Sequence, residues 1–464
     1  MSGQIKEYRN KVKLPTSHSL TKQLLIDINQ MPITQADLTR AGQHVLDWVA
    51  CASAAKSSEA RRAYQALLLL DDVGKCTAIG GQKINMQNAV QFNGALGNVL
   101  EMDDIHRTSI LHPGPVVIPA ALAAAEQTEC SLEAFLTAII KGYEVTIRMG
   151  EAIGRSHYRY FHNTATCGVL GAAMAAASVF ELSQQQTLSA LGNAGSTTGG
   201  LWQMRNEKVL TKQWHNAEAS RSGLMAAFMS KQNLTGPEYI LEGPQGIFNA
   251  LSDDPSFENF IKTHPNWRIY DCSFKPWPAC RHAHGAMDVL LEILNKHSIN
   301  LDDIERIDVG VYQDAQLFCD RITPETSLEA KFSIQHALAA ILLWGEPQLE
   351  HYTVSAIAEV ASLELRQRIH VYIDEDIESQ YPQHFGAKCS VVLKSGQCIE
   401  HQQQDTLGDP EKPLSKKQLH NKAQMLLSHG GVSQQKIEQL CAFDWLQTAP
   451  VFTFSALLSP VQSN

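Results

Sequence analysis

One short stretch of the sequence concentrates side chains that can transfer protons. Residues 101–112 contain three carboxylates, two imidazoles and a guanidinium, and apolar segments flank them. Acid–base chemistry needs groups that exchange protons near neutral pH, and histidine does so with little tuning. For any single acidic residue, a solvated helix end is the more common explanation. The whole group is more typical of a cleft, and its candidate site residues are Glu101, Asp103, Asp104, Arg107 and His112.

Three further polar clusters supply candidates for an anionic substrate. His162 opens an alanine-rich helix, where the positive end of the helix dipole favours anions. Lys212 follows a glycine-rich loop, and Lys275, Arg281 and His282 flank a rigid Pro-x-Pro bend. Arginine holds a carboxylate with a two-pronged hydrogen-bonded fork. Each cluster alone also suits a surface or core position, so the hypothesis of a carboxylate site depends on their combination.

Cys280, His282 and His284 also suggest a zinc site, because cysteine and histidine are zinc ligands. Their spacing matches none of the common zinc patterns, and residues two apart on a helix do not share a face. The sequence has no Walker loop, no G-x-G-x-x-G and no H-E-x-x-H motif. We therefore predict an activity that needs neither a metal nor an organic cofactor.

Composition and charge exclude several classes of protein. The formal net charge of -10 argues against a nucleic-acid partner, which requires a basic face. The longest apolar run, Cys167–Phe180, is too short for the roughly 20 residues of a membrane span. Met1–Pro15 has no apolar stretch typical of a signal peptide, and the ten cysteines show no paired spacing. We predict a cytoplasmic protein with reduced thiols and no membrane partner.

The periodicity of the apolar residues changes along the chain, which indicates two domains. With 464 residues it is longer than a single core usually serves. Helical periodicity dominates up to about residue 250, strand alternation appears after Trp267, and helix signals return in the tail. We predict a mostly α protein with a second, α+β domain. The helical domain comprises 1–266 and 405–464, and the α+β domain comprises 267–404.

The periodicity also predicts individual elements. The predicted helices are Leu38–Ala54, Val116–Glu126, Leu132–Met149, Gly168–Phe180, Ser183–Leu191, His284–Lys296 and Lys331–Trp344. The predicted strands lie around Ile304–Tyr312 and Ile369–Tyr372, and a hairpin is expected over Ala387–Glu400 with its turn at Ser395-Gly396. The sheet is expected to be confined to the second domain.

Several of these stretches resemble landmarks of the MmgE/PrpD family, in the same order along the chain. They are Asn93-Gly94-Ala95-Leu96 leading to Asp103-Asp104, His112-Pro113-Gly114 with Val116–Ala120, Phe161-His162, Thr211-Lys212, Lys275-Pro276 with Cys280–His284, and Glu329–Ser333. The family includes 2-methylcitrate dehydratases, cis-aconitate decarboxylases and iminodisuccinate epimerases. The resemblance implies a helical domain with an α+β lid domain, a homodimer, and no cofactor.

The resemblance also implies pocket roles for Glu101, His112, His162, Lys212 and Lys275, which we expect to converge on one cleft. The sequence departs from the family pattern in places. Glu101 stands where aspartate is frequent, and Cys280 stands where the decarboxylases carry histidine. The dehydratases lack the His106-Arg107 segment before their His-Pro.

The chemistry shared by such enzymes is proton transfer at a carbon beside a carboxylate of a small di- or tricarboxylate. His112 and His162 are the candidate acid and base, and the cationic side chains would stabilise the enolate-like charge that develops. Loss of a β-hydroxyl gives dehydration, loss of a carboxylate gives decarboxylation, and loss of neither gives epimerisation. By family frequency we predict a hydro-lyase resembling 2-methylcitrate dehydratase. Decarboxylation, epimerisation and a non-enzymatic carboxylate sensor remain the alternatives.

Overall fold

The computed structural model describes residues 18–70 and 74–459. It divides into two compact units. The helical unit contains the residues up to Val99, Asp103–Cys272 and the residues from His420 on, and the second unit contains Leu100–Met102 and Ser273–Leu419. The sequence-based boundaries at residues 267 and 404 stay a prediction, and the expectation about Met1–Pro15 falls outside the described residues.

The part of the chain before residue 273 is almost entirely helical. Its helices are α1 (Leu20–Gln30), α2 (Gln35–Ala54), α3 (Glu59–Tyr64), α4 (Met86–Leu96), α5 (Gly114–Thr128), α6 (Leu132–Ala152), α7 (Arg155–Tyr158), α8 (Asn163–Val179), α9 (Gln184–Ser196), α10 (Thr211–Lys231), α11 (Ile247–Leu251) and α12 (Phe257–Ile261). Its strands are the two-residue segments β1 (Cys76–Thr77), β2 (Lys83–Ile84), β3 (Ile105–His106) and β4 (Cys272–Ser273), of which β4 ends on the first residue of the second unit.

Local sequence signals explain where several of these helices begin. The Ser183 hydroxyl accepts a hydrogen bond from the backbone N–H of Gln186, and the Gln186 side chain accepts one from the backbone N–H of Ser183. This capping box satisfies N–H groups that a helix start leaves without intrahelical partners. Thr34 and Asp37 form the same arrangement at the start of α2. The helix predicted over Ser183–Leu191 is therefore confirmed, and it begins with a capping box.

Small residues allow the central helices to approach closely. A Cβ atom added to Gly171 of α8 would lie 1.8 Å from the Thr146 Oγ1 atom of α6. A Cβ atom added to Gly142 would lie 2.5 Å from the Val117 Cγ1 atom of α5. Both glycines are buried within helices, and the absence of a side chain lets the neighbouring helices pack closely at these positions. The alanine-rich run of α8 is thus a closely packed buried helix, as its composition predicts.

The second unit combines a four-stranded mixed sheet with helices. Its strands are β5 (Ile304–Val311), β6 (Ile369–Ile373), β7 (Ala387–Leu393) and β8 (Cys398–Gln403), in the spatial order β6-β5-β7-β8. Its helices are α13 (Arg281–Lys296), α14 (Gln313–Cys319), α15 (Ser327–Lys331), α16 (Ile334–Trp344), α17 (Val354–Ile357), α18 (Val360–Arg366) and α19 (Glu375–Gln380).

The pairing within this sheet follows from the connections. β5 pairs with β6 in parallel, and a long helical crossover joins them, as parallel pairing requires. β7 pairs antiparallel with both β5 and β8. The β7–β8 turn contains Gly396 with a φ of 87°, a left-handed conformation that glycine adopts without strain. The predicted hairpin and its turn are confirmed.

The tail adds helices α20 (Lys416–His429), α21 (Gln434–Cys441) and α22 (Phe452–Ser455). A mostly helical first part and an α+β second part confirm the predicted fold class. One expectation was wrong, because β1 and β2 form a small antiparallel pair outside the second unit. None of the ten cysteines forms a disulfide. In the described parts of the chain, every helix is either too short or too polar to span a bilayer.

Candidate active site

His112 is fixed by its own backbone neighbours. It lies directly before α5, and its backbone N–H donates to the Thr164 Oγ1 atom at 3.1 Å. Its Nδ1 atom lies 2.8 Å from the Asp104 carbonyl oxygen and 3.0 Å from the Asp103 Oδ2 atom. Because a carbonyl oxygen can only accept, we assign the proton of the neutral ring to Nδ1. The Nε2 atom then carries the lone pair and can exchange a proton with a substrate.

Asp103 completes the support of this imidazole. The carboxylate is almost fully buried, and its Oδ1 atom accepts a hydrogen bond from Asn98 Nδ2 at 2.6 Å. Its Oδ2 atom faces the His112 ring. A carboxylate at one ring nitrogen orients an imidazole for proton transfer at the other. Asp103 is thus placed to orient His112.

The hydrogen bonds of the Asp104 carboxylate stabilise the chain on both sides of His112. Its Oδ2 atom lies 2.7 Å from both the His44 Nδ1 atom and the Tyr143 hydroxyl, and its Oδ1 atom accepts from the Gly114 N–H at 3.1 Å. Burial alone would raise the pKa of Asp104, but the hydrogen bonds from His44 and Tyr143 outweigh it and lower the pKa. With three donors on a buried, ionised carboxylate, Asp104 is better suited to positioning than to proton transfer.

His162 is buried at the first position before α8. It is 2 % exposed, and its ring packs on Trp202 at 4.7 Å and on His215 at 5.5 Å between centroids. Burial lowers its pKa well below the ordinary value, and the charges of Lys212, His215 and His112 lower it further. His162 is therefore neutral near pH 7. Its Nδ1 atom has no hydrogen-bond partner within residues 18–70 and 74–459, which is unusual for a buried nitrogen.

Three long helices, α5, α8 and α10, begin close to His112 and His162. The His112–Thr164 hydrogen bond joins the residue before α5 to the first turn of α8. A Cβ atom on Gly200 would lie 3.1 Å from Ala165 and 3.4 Å from His215, so the first turns of α8 and α10 lie side by side. Lys212 is the second residue of α10. Helix N-termini carry partial positive charge, so together with Lys212 this end of the unit favours an anion.

A cavity of about 580 Å³ has His215 in its wall. Its walls come from α8, from the 197–209 loop and from α10, and they include the carboxylates of Glu207 and Glu218. No lysine or arginine is found among the described residues that line it. Its charge therefore suits a tricarboxylate poorly, and we place the candidate site on the His112 side of His162.

The second unit contains a separate charged pair. The Lys275 Nζ atom donates to the Glu101 carbonyl oxygen at 3.0 Å and lies 3.7 Å from its Oε2 atom. Both side chains are almost fully buried. Glu101 has a φ of 56°, a left-handed conformation that is rare for residues other than glycine and is common at functional sites. Cys280 lies close to this pair, and a hydrogen bond with Cys319 lowers its pKa despite burial.

The other sequence candidates make contacts within the fold. Arg281 forms a buried ion pair with Asp409 and donates to the Leu407 carbonyl oxygen at 3.2 Å. The His282 Nδ1 atom lies 2.7 Å from the Tyr312 hydroxyl, and its ring stacks on Phe318 and Phe385. These contacts hold the core of the second unit together. We therefore leave Arg281 and His282 out of the substrate contacts that we propose.

Arg107 is buried, and its charge acts on the neighbouring His106. His106 itself belongs to another network. Its Nδ1 atom lies 2.8 Å from the Ser109 hydroxyl, and its Nε2 atom lies 3.3 Å from the Arg268 guanidinium, which pairs with Glu151. This network fixes the turn that leads to His112. A substrate contact by Arg107 stays a prediction.

The zinc hypothesis conflicts with the contacts of His284. Its Nδ1 atom lies 3.0 Å from Arg281 Nη1 and its Nε2 atom lies 3.1 Å from the Ala279 carbonyl oxygen, so neither nitrogen is directed at a shared metal position. Within the described ranges, one other group, His384, Asp405 and Glu411, brings possible ligand atoms within 4.8 Å of one another. His384 already lies 2.6 Å from Asp405 there, as an ordinary surface pair would.

The sequence candidates lie in both units, and their convergence on one cleft stays a prediction. Asp103, His112, His162 and Lys212 form one cluster in the helical unit, and Glu101 and Lys275 form another in the second unit. Sequence reasoning missed the residues that support them: His44, Asn98, Tyr143, Thr164 and His215. Thr164 and His215 had a usable signal, since they are two residues from His162 and three residues from Lys212 respectively.

Most of the chain matches known proteins. The MmgE/PrpD N-terminal domain matches residues 25–259, and the MmgE/PrpD C-terminal domain matches residues 277–445. A cis-aconitate decarboxylase-like protein, oryM, of Aspergillus oryzae is 25% identical over 79% of this chain and 81% of its own length. The cis-aconitate decarboxylase of Mus musculus is 26% identical, over 72% and 70% respectively. That of Homo sapiens is 27% identical, over 72% and 71%.

Proposed function

The chain belongs to the MmgE/PrpD family, and from that premise we propose that it is a carboxy-lyase acting on a small tricarboxylate of the cis-aconitate type. The similar proteins described above carry the name of this reaction. The hydro-lyase preferred from family frequency receives no comparable support. Decarboxylation, one of the alternatives considered from the sequence, is therefore our main hypothesis.

The observation that carries the proposal is the cluster at the start of α5, α8 and α10. Three helix N-termini and Lys212 supply positive potential for substrate carboxylates. The Nδ1 atom of His112 is hydrogen-bonded within the protein, which leaves Nε2 for the substrate. His162 is a buried, neutral imidazole whose Nδ1 atom has no hydrogen-bond partner in the described residues. An anion-binding site that also contains two oriented imidazoles suits proton transfer better than simple binding.

The reaction itself is balanced by one proton. In cis-aconitate a CH₂–COO⁻ group is attached to a carbon–carbon double bond. When the C–COO⁻ bond of this group breaks, CO₂ leaves and the electron pair moves through the double bond onto the carbon beside another carboxylate. That carbon then takes up a proton, so one trianion and one proton give one dianion and CO₂. The step needs a proton donor and a cation near the carboxylate that receives the charge.

We assign these roles to the cluster in the helical unit. His112 is the proton donor, because Asp103 and the Asp104 carbonyl oxygen orient its ring through Nδ1 and leave Nε2 to carry the transferred proton. His162 stays neutral and hydrogen-bonds the substrate. Lys212 pairs with a substrate carboxylate. Lys275 is proposed as a second anchor, a role that the family resemblance alone supports.

The test is turnover of cis-aconitate by the purified chain in deuterated water, followed by NMR and CO₂ release. We expect CO₂ and one deuterium on a single carbon of the product. In Lys212→Gln we expect KM to rise roughly 10–100-fold, because a charge-assisted hydrogen bond to substrate is lost. Lys208→Gln is the matched control nearby in sequence, and it should keep the KM of the wild type.

Other outcomes would identify one of the alternatives. Dehydration of 2-methylcitrate without CO₂ release would restore the hydro-lyase hypothesis. Deuterium exchange with inversion of iminodisuccinate would indicate an epimerase. Saturable binding of a carboxylate with neither product nor deuterium incorporation would indicate a sensor, and the proposed reaction would be wrong.

A further inference from the structure

Asn216 is a buried amide for which the fold supplies no partner. Its side chain is 1 % exposed, and neither its Oδ1 nor its Nδ2 atom has a hydrogen-bond partner in residues 18–70 and 74–459. Nearly all buried polar groups in folded proteins are hydrogen-bonded, and leaving one unsatisfied destabilises the fold. A carboxamide with both of its polar atoms unpaired therefore either hydrogen-bonds a bound molecule or only lowers the free energy of unfolding.

The position of Asn216 on α10 places it in the candidate site. Lys212, Asn216 and Ser220 are spaced by four residues, so they lie along one face of the helix. At one end of this face, the charge of Lys212 acts on His162. At the other end, the Ser220 hydroxyl donates to the Val116 carbonyl oxygen, in the first turn of α5, at 2.8 Å.

Helix α4 packs against the backbone of α10 at Asn216. A Cβ atom on Gly94 would lie 3.1 Å from the Ala217 Cα atom and 3.4 Å from the Asn216 carbonyl oxygen. Asn216 lies between His215, which is close to the first turn of α8, and Ser220, which contacts the first turn of α5. His162, with its own vacant Nδ1 atom, is at the same end of the unit.

We propose that Asn216 is a substrate-binding residue whose carboxamide nitrogen donates a hydrogen bond to a carboxylate of the di- or tricarboxylate held by Lys212 and His162. The inference rests on the proposed function, because it uses the same site. An amide donor suits this position, since it binds a carboxylate without adding a further charge to a buried cluster. The carboxamide and the lysine one turn before it would contact the same substrate from one helix face.

The decisive variant is Asn216→Leu, which keeps the approximate volume and removes both polar atoms. We expect KM for cis-aconitate to rise roughly 10–100-fold, since a hydrogen bond to a charged group is lost. We also expect the melting temperature of the free protein to stay the same or rise, because the unsatisfied amide is gone. The increase in melting temperature that saturating tricarboxylate gives the wild type should be lost.

Two further variants, Asn216→Asp and Ser220→Ala, are measured in the same assays. Asn216→Asp should weaken binding further, because its carboxylate would repel the substrate. Ser220→Ala removes the hydrogen bond to Val116 on the same helix face, and it should lower the melting temperature while KM stays that of the wild type. This pair separates substrate contact from damage to the helix.

The possible results separate the inference from the proposed function. If the wild type decarboxylates cis-aconitate and Asn216→Leu does so with unchanged KM, the inference is wrong and the amide is satisfied by water. If the wild type releases no CO₂ but a carboxylate stabilises it and fails to stabilise Asn216→Leu, only the proposed reaction is wrong. If no carboxylate stabilises the wild type and none is turned over, both are wrong.

Discussion

His112 is the side chain on which the proposed reaction depends most directly. We predict that His112→Gln lowers kcat roughly 10²–10⁴-fold, because glutamine cannot carry the transferred proton. KM and the melting temperature should change little, since the Asp103 and Asp104 contacts involve only one ring nitrogen. Steady-state kinetics and thermal unfolding of the variant measure both effects.

An exposed histidine provides the control for this measurement. His297 follows α13 at the surface, so His297→Gln should leave kcat unchanged. If His112→Gln turned over substrate at the rate of the wild type, the proton would come from elsewhere and the proposed mechanism would fail.

His106 gives a prediction about stability and pH. Burial lowers its pKa to about 4 in the folded protein, from an ordinary value of 6.5. The unfolded chain therefore takes up a proton below pH 6.5 that the folded protein does not, and the stability that neutral His106 contributes is lost between pH 6.5 and pH 4. The free energy of unfolding should thus fall more steeply over this range in the wild type than in His106→Gln.

Urea unfolding of both proteins between pH 7 and pH 4 measures the difference in slope. Comparing the two proteins removes the contribution of other groups, such as Asp47, whose pKa is raised by burial to about 6 and acts in the opposite direction. Parallel pH profiles for the wild type and the variant would contradict the prediction.

The sequence identified reactive residues better than the residues that support them. His112 and His162 stand out because they are ionisable groups in short polar motifs beside apolar runs. His44 and Tyr143 do not, because their contacts with Asp104 join residues that are 60 and 39 positions apart. Arg281 has the same limit, since nothing near it in sequence indicates its ion pair with Asp409, and its role as a substrate contact stays a prediction.

The helices of the first part were predicted well where their signals are local. Capping at Ser183 and the apolar repeat of α2 are both visible in a few adjacent residues. The apolar repeat of α8 is visible only from Gly168, because its first turn, from Asn163, is polar, and the polar cluster at His162 indicated the helix start instead. The parallel β5–β6 pair could not be predicted, since strand pairing depends on contacts far apart in sequence.

Close packing of α6 and α8 makes Gly171 intolerant of a side chain. We predict that Gly171→Ala lowers the melting temperature markedly, because its Cβ atom would overlap the Thr146 side chain. Overpacking of this kind costs typically about 1–3 kcal/mol, and more where backbone must move. Gly199→Ala is the control, since a Cβ atom there meets nothing within 4 Å. Equal melting temperatures for the two variants would mean that the helices can separate at little cost.

At the scale of the whole molecule, the family resemblance predicts a homodimer. Analytical ultracentrifugation under assay conditions should give about twice the 51.2 kDa mass of one chain. A mass near that of one chain, in a sample with full activity, would rule the dimer out.

The tail of the chain contributes a buried ion pair to the helical unit. Lys422 Nζ lies 2.5 Å from the Asp47 Oδ1 atom, and both side chains are almost fully buried. We predict that Lys422→Met lowers the free energy of unfolding by about 3–5 kcal/mol, because Asp47 loses its partner. Asp47→Asn in the same chain should restore much of this loss, and denaturant unfolding of the single and double variants would show whether it does.

The discontinuous helical unit also has a consequence for synthesis on the ribosome. Residues 420–459 are synthesised after the whole second unit, yet they carry the partner of Asp47 in α2, which is synthesised before that unit. Translation at about 5–20 residues per second leaves this unit incomplete for most of the time the chain is being made. The nascent chain should therefore stay sensitive to protease, and bound by chaperones, until the tail has left the exit tunnel. Arrested chains that end before Lys422 would be degraded far faster than the full-length chain.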